Sequence, residues 1–230
     1  PAAAAREAVQ ALERRRFVEA ARRLFEENVS QGVLTQARDR ILLGRLQAQA
    51  GQFDAAEATF EQFLAKDRTG ATLVAVAEAW MDVGKADRAV ALLRPLEAGR
   101  DEDVLLALGR ALRESGQPDE EFETYRRWAV ASGREGAVWM RVGNTLSEIP
   151  DAARARQAFA EAARSGATPV DKAMAHAACA QSILVADRSA LASAERELVS
   201  ALDLAGKDML VIATVEEVAR LAPKGTHSLE

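Results

Sequence analysis

Residues 136–169 read GAVWMRVGNTLSEIPDAARARQAFAEAARSGATP, and this stretch decides the fold because the rest of the chain varies on it. Trp139, Val142, Gly143 and Leu146 fall at helical spacing. After a break at Ile149-Pro150-Asp151, Ala155, Phe159 and Ala162 do so again. The pattern is W-x2-V-G-x2-L, a turn, then A-x3-F-x2-A: two amphipathic helices folded back on each other. Gly143 and Ala155 are small where the antiparallel helices approach most closely, and Trp139, Leu146 and Phe159 fill the space on either side.

Copies of the pattern extend in both directions. Residues 102–135 carry Leu105, Leu108-Gly109, Leu112, Gly116, Tyr125 and Trp128, with Pro118 placed to open the second helix. This copy has Glu121 where the others have Ala, and a carboxylate cannot be buried cheaply against Gly109. The expectation is that the helix rotates to bring Phe122 into the contact or that Glu121 snorkels. Residues 70–101 carry Leu73, Val76-Ala77, Trp80, Gly84, Ala89, Leu93 and Leu96, and Pro95 predicts a kink or an early stop. Residues 37–69 carry Leu43-Gly44, Gln47, Gly51, Ala56, Phe60 and Phe63. There Gly51 supplies a left-handed helix end and Asp54 with Glu57 resembles a capping box. Residues 1–36 are the loosest copy, with Ala8 as the small residue of a helix over 2–14, then Ala20, Leu24 and Glu27 after Phe17. Arg14-Arg15-Arg16 is bracketed by Glu13 and Glu19 and reads as a solvated turn. Thr35 is the expected cap of the following helix.

Downstream, Thr168-Pro169 opens residues 171–207, which carry Met174, Ala177-Ala178 and Gln181, then Ala194, Leu198 and Ala201. From Ala178 to Ala194 is 16 residues, against 12 from Gly143 to Ala155, so a longer helix or a longer turn near Asp187-Arg188 is expected. Asp208 caps a last helix over 208–222, with Leu210, Val211, Thr214, Val215, Val218 and Leu221 on it and Pro223 as its stop. Residues 223–230 read as a tail, ending in a Ser228-Leu229-Glu230 of cloning character. Gly44, Ala77, Gly109, Gly143 and Ala178 stand 33, 32, 34 and 35 residues apart, a regularity that chance amphipathicity does not produce. One helix pair buries too little alone, and stacking makes the core continuous.

On these residues the chain resembles the tetratricopeptide repeat family over residues 1–222. The resemblance implies an all-α, right-handed superhelical solenoid of antiparallel helix pairs. It would hold about six repeats (1–36, 37–69, 70–101, 102–135, 136–170 and 171–207) and a capping helix over 208–222 in one domain. It also implies that the first helix of each pair lines a concave face where a partner's peptide segment lies. Pentatricopeptide repeats share the architecture but bind RNA, and an acidic chain with no recurring basic groove residue argues against them. Sel1-type repeats run longer, and only the copy over 171–207 has that length.

Composition agrees. At 49% hydrophobic but 5% aromatic, the apolar set is dominated by Ala, which suits closely packed helices. A net charge of −5 argues against general nucleic-acid affinity. One cysteine excludes an internal disulfide, and no run of 18 apolar residues reads as a transmembrane helix. With no leader signature in these residues, the chain reads as soluble, with cytoplasm and periplasm both open. His176 and Cys179 share a helix face, but without further ligands they point to neither metal nor nucleophile. No enzyme and no cofactor is expected. The inner wall is expected to present Ile41, Val74, Leu106 and Met140, with Arg45, Glu78, Arg110 and Asn144 one residue beyond each small residue. Arg113 lies a further turn along. This would be a groove for a protein segment with acidic residues beside apolar anchors. The alternative is a structural unit that stacks on copies of itself through terminal or convex faces.

Overall fold

The structure, a computed structural model, describes residues 1–34, 36–99, 101–148 and 152–223. Among them are thirteen α-helices and no strand. Six pairs follow one another: α1 (Ala2–Arg14) with α2 (Val18–Ser30), α3 (Ala37–Gln49) with α4 (Phe53–Leu64), and α5 (Gly70–Met81) with α6 (Ala86–Leu93). Next come α7 (Glu102–Glu114) with α8 (Pro118–Ser132), α9 (Glu135–Ser147) with α10 (Ala152–Ser165), and α11 (Pro169–Ala186) with α12 (Leu191–Ala205). A last helix, α13 (Met209–Ala219), follows. The residues cluster into two compact units, Pro1–Thr124 and Tyr125–Glu230.

In the first unit α1 packs on α2, α3 on α4 and α5 on α6. Each second helix also packs on the first helix of the next pair: α2 on α3, α4 on α5 and α6 on α7. The turns that close the first four pairs are one motif. Phe17, Gln52, Lys85 and Gln117 each donate their N–H to the carbonyl five residues back, and Arg16, Gly51, Gly84 and Gly116 each to the carbonyl three back. This is the Schellman arrangement, which needs a left-handed residue at the turn. Gly51, Gly84 and Gly116 take it at φ of 79°, 70° and 80°. In the first pair Arg16 takes it at 61°, where a side chain is strained. Pro95 ends α6 at Leu93 and leaves a 3-10 segment, Arg94–Gly99, as its position predicts.

In the second unit α9 packs on α10, α10 on α11 and α11 on α12, while α13 packs on both α11 and α12. The extra residues near 187 lengthen the helix rather than the turn: α11 has 18 residues against 13 in α9. Asp208 caps α13 as expected, accepting from the Leu210 and Val211 N–H groups at 2.9 and 3.3 Å. The helix ends at Ala219, short of Ala222, and Leu210 is exposed rather than packed.

Several side chains stand elsewhere than periodicity places them. In the loose first copy, Ala8, Ala20 and Glu27 are exposed and Leu24 only half-buried. Val9, Ala21 and Phe25 form the core there, so the register is one residue later. At Ala20-Ala21 the two registers exchange like for like, and periodicity alone does not separate them there. Asp54 lies inside α4, which begins at Phe53 after Gln52, so no Asp54–Glu57 capping box forms. On α11 Ala177 is buried while Ala178 is half-buried and Gln181 exposed. Glu121 neither snorkels nor yields its place: it is fully buried and accepts from Arg113 Nη1 at 3.0 Å. Thr35, the break at 149–151 and the tail beyond 223 lie outside the described residues. The residue before α3 is Gln36, whose N–H donates to Asp39 Oδ2 at 2.9 Å.

Candidate functional site

First helices of successive pairs also touch each other in the first unit, α3 on α5 and α5 on α7. Their outer surfaces therefore form a continuous face, and this is where the sequence places the groove. Ile41 and Val74 are half-buried and pack against the core. Leu106, at the same position on α7, is also half-buried. One turn along, Glu78 and Arg110 are exposed and Arg45 is a third exposed. On α9 of the second unit Met140 is half-buried and Asn144 exposed. Met140 shares a cleft of about 370 Å³ with Ala137, Ala162, Gly166 and Met174.

The charges on the first-unit face are linked in series. Arg45 Nη2 donates to Glu13 Oε1 on α1 at 3.0 Å, and Arg45 Nη1 lies 3.8 Å from Asp82 Oδ2 at the end of α5. Arg110 Nε donates to Glu114 Oε1 at 2.8 Å. Glu114 above all, with Glu78 and Asp82 behind it, pushes the Arg110 guanidinium pKa up. Arg113 turns to the buried Glu121 and is only 16% exposed. Every arginine assigned to the groove thus already has a carboxylate. Arg110 meets Glu114 at the i, i+4 spacing of a single helix, whereas Glu13, Arg45 and Asp82 meet only through stacking. Against the end of this face a wider cleft of about 640 Å³ lies between Glu13, Arg16, Gln49, Phe53 and Asp82.

His176 Nδ1 lies 2.7 Å from Glu197 Oε2, tying α11 to α12, and does not meet Cys179 in any pair the structure shows. Cys179 is buried, and burial, with the Glu197 carboxylate second, pushes its thiol up to about 12. Such a thiol carries almost no thiolate at neutral pH. No group of three His, Cys, Asp or Glu side chains among the described residues could hold a metal ion. No helix among them is long and apolar enough to cross a membrane.

No protein-family model and no curated protein sequence matches the chain. Among solved structures, a thermophilic TPR protein of Thermus thermophilus is similar at 18% identity, with a TM-score of 0.39 over 80% of this chain and 100% of that one. The Cut9-Hcn1 APC/C hetero-tetramer is similar at 14% identity and a TM-score of 0.41 over 95% of this chain, which spans 43% of that one. A TPR repeats protein of Bacteroides fragilis matches at 11% identity and a TM-score of 0.38, over 82% of this chain and 100% of that one. The fold assignment rests on the chain's own helices. They make it an all-α helical-repeat protein whose pairs are similar to tetratricopeptide repeats.

Proposed function

We propose that the chain is a non-enzymatic interaction scaffold that holds an extended or amphipathic segment of a partner protein on the first-helix face of residues 1–124. One observation carries this reading. Ile41, Val74 and Leu106 hold the same position on three adjacent helices, half-exposed and each next to a charged residue one turn along. Apolar anchors seated on them would supply most of the affinity, at roughly 25 cal/mol per Å² before ordering costs. The charge of the ligand follows from what the arginines leave over. Glu13, Glu78, Asp82 and Glu114 outnumber Arg45 and Arg110 on the face, and Arg113 is neutralised by Glu121. The segment therefore carries basic side chains beside its anchors, not the acidic ones that the arginines suggest when counted alone. These charges set register and encounter rate more than affinity.

Segments selected from a random-peptide library on the whole chain are titrated by calorimetry against four proteins: the unaltered chain and three variants. Leu106→Asp abolishes binding, and Glu78→Lys weakens it roughly severalfold with a smaller salt dependence. Glu61→Lys, on exposed α4 surface, matches the unaltered chain. If Glu61→Lys disrupts binding and Leu106→Asp does not, the partner binds elsewhere. If Glu78→Lys tightens it, the ligand is acidic.

A further inference from the structure

Nine large apolar side chains are exposed among the described residues, and seven of them lie between 185 and 210: Val185, Leu191, Val199, Leu202, Leu204, Met209 and Leu210. The repeat architecture does not demand this. The preceding second helix, α10, exposes Ala153, Gln157 and Ala160, all small or polar. On α12 the side facing the core is made of Ala194 and Ala201, which are 2% and 0% exposed. Flanking it on one side, Leu191, the half-buried Leu198 and Leu202 follow at intervals of seven and four residues, and Val199 lies further round. Although α13 packs on α12, Leu191, Val199 and Leu202 stay 43, 49 and 40% exposed.

The charges beside this stripe say what covers it. Arg196 and Asp203 lie along one edge, seven residues and so two turns apart, and both are exposed. Arg196 bonds within its own helix, to the Ala192 carbonyl and Ser193 Oγ at 3.2 Å each. An edge with a cation at one end and an anion at the other complements itself when a copy is reversed. We infer that α12 is a self-docking face, on which two copies of the chain pair with their α12 helices antiparallel about a two-fold axis near Val199. Leu198 and Val199 then cross their own counterparts, and Leu202 covers the aliphatic stem of Glu195. Arg196 of each copy comes beside Asp203 of the other, in an isologous contact. One 15-residue helix on another buries less than the roughly 1,200 Å² of a stable interface, so the pair is weak and reversible.

Sedimentation velocity on the whole chain from roughly 10 to roughly 500 μM reads the association, with circular dichroism confirming that each variant stays helical. The unaltered chain gains mass with concentration and Leu202→Asp stays monomeric throughout. Arg196→Asp and Asp203→Arg each weaken the pair about tenfold, by placing like charges across the axis, and the double exchange restores it to within about twofold. A chain that stays monomeric overturns the inference, as does association that survives Leu202→Asp. If the charge exchange fails to rescue pairing, the antiparallel arrangement is wrong. The segment-binding face lies on other helices, so its test and this one fail independently.

Discussion

The ring of Phe159 occupies the space where Gly143 lacks a side chain: a Cβ built on Gly143 would stand 2.5 Å from Phe159 Cε1. Sixteen residues separate the two, as they separate Gly44 and Phe60 in the other unit, where a Cβ would stand 2.4 Å from the same ring atom. The small residue of the repeat is thus a socket for the aromatic of the second helix, and the neighbouring Ala155 is not its filling.

Gly143→Ala should therefore destabilise the fold by about 1–3 kcal/mol through overpacking. Gly99→Ala, where a Cβ meets nothing within 4 Å, should change stability by less than about 0.5 kcal/mol. Gly206 is no substitute control, because a Cβ there would meet the Leu202 carbonyl at 2.5 Å. Urea unfolding followed by circular dichroism measures both, and equal effects would show that the ring does not need the socket.

Arg16 holds a left-handed turn that Gly holds in the next three pairs. Arg16→Gly should raise stability by about 1 kcal/mol, since the strain relieved outweighs the added freedom of the unfolded chain. An unchanged or lowered melting temperature would mean that the Arg16 side chain makes a compensating contact.

Glu121 and Arg113 form a pair in which the carboxylate is fully buried. Arg113→Met takes the guanidinium away from that buried carboxylate and should destabilise the fold by about 1–3 kcal/mol. Adding Glu121→Ala, the residue type the other repeats carry, should return part of the loss. The order of stabilities checks this: the double variant must lie above Arg113→Met, and the opposite order would show that the buried charge carries no cost.

Asp39 on α3 is 1% exposed and accepts from Arg6 Nε and Nη2 on α1 at 2.7 Å each. The Arg6 guanidinium holds its carboxyl below the usual carboxylate range, against the opposing push of burial. A depressed folded-state pKa contributes stability above the unfolded value, near about 3.9, that is lost as pH falls through the folded value. Arg6→Met should be less stable at pH 7, and its deficit should shrink below about pH 4 as Asp39 protonates in both proteins. Denaturation midpoints at neutral and acid pH measure this, and a deficit independent of pH would place the loss in packing alone.

What the sequence determined by itself was local. Pro95 and Pro118 end and begin helices through their own rings, Asp208 caps α13 with its own carboxylate, and Gly51, Gly84 and Gly116 turn the chain where only Gly turns cheaply. The spacing of Gly44 and Gly143 carried the pairing of helices because each faces an aromatic of its own repeat. What only the tertiary structure decided was which partner a side chain meets outside its own pair. Arg45 reaches Glu13 and Asp82, 32 and 37 residues away, because stacked pairs bring repeat-spaced positions side by side. The stripe on α12 stays exposed because α13, though packed on that helix, leaves Leu191, Val199 and Leu202 uncovered. In the first copy, where Ala20 and Ala21 are the same residue, only packing chose Ala21 over Ala20. Helical periodicity fixes an angle around one axis, and contacts between axes depend on how the helices pack.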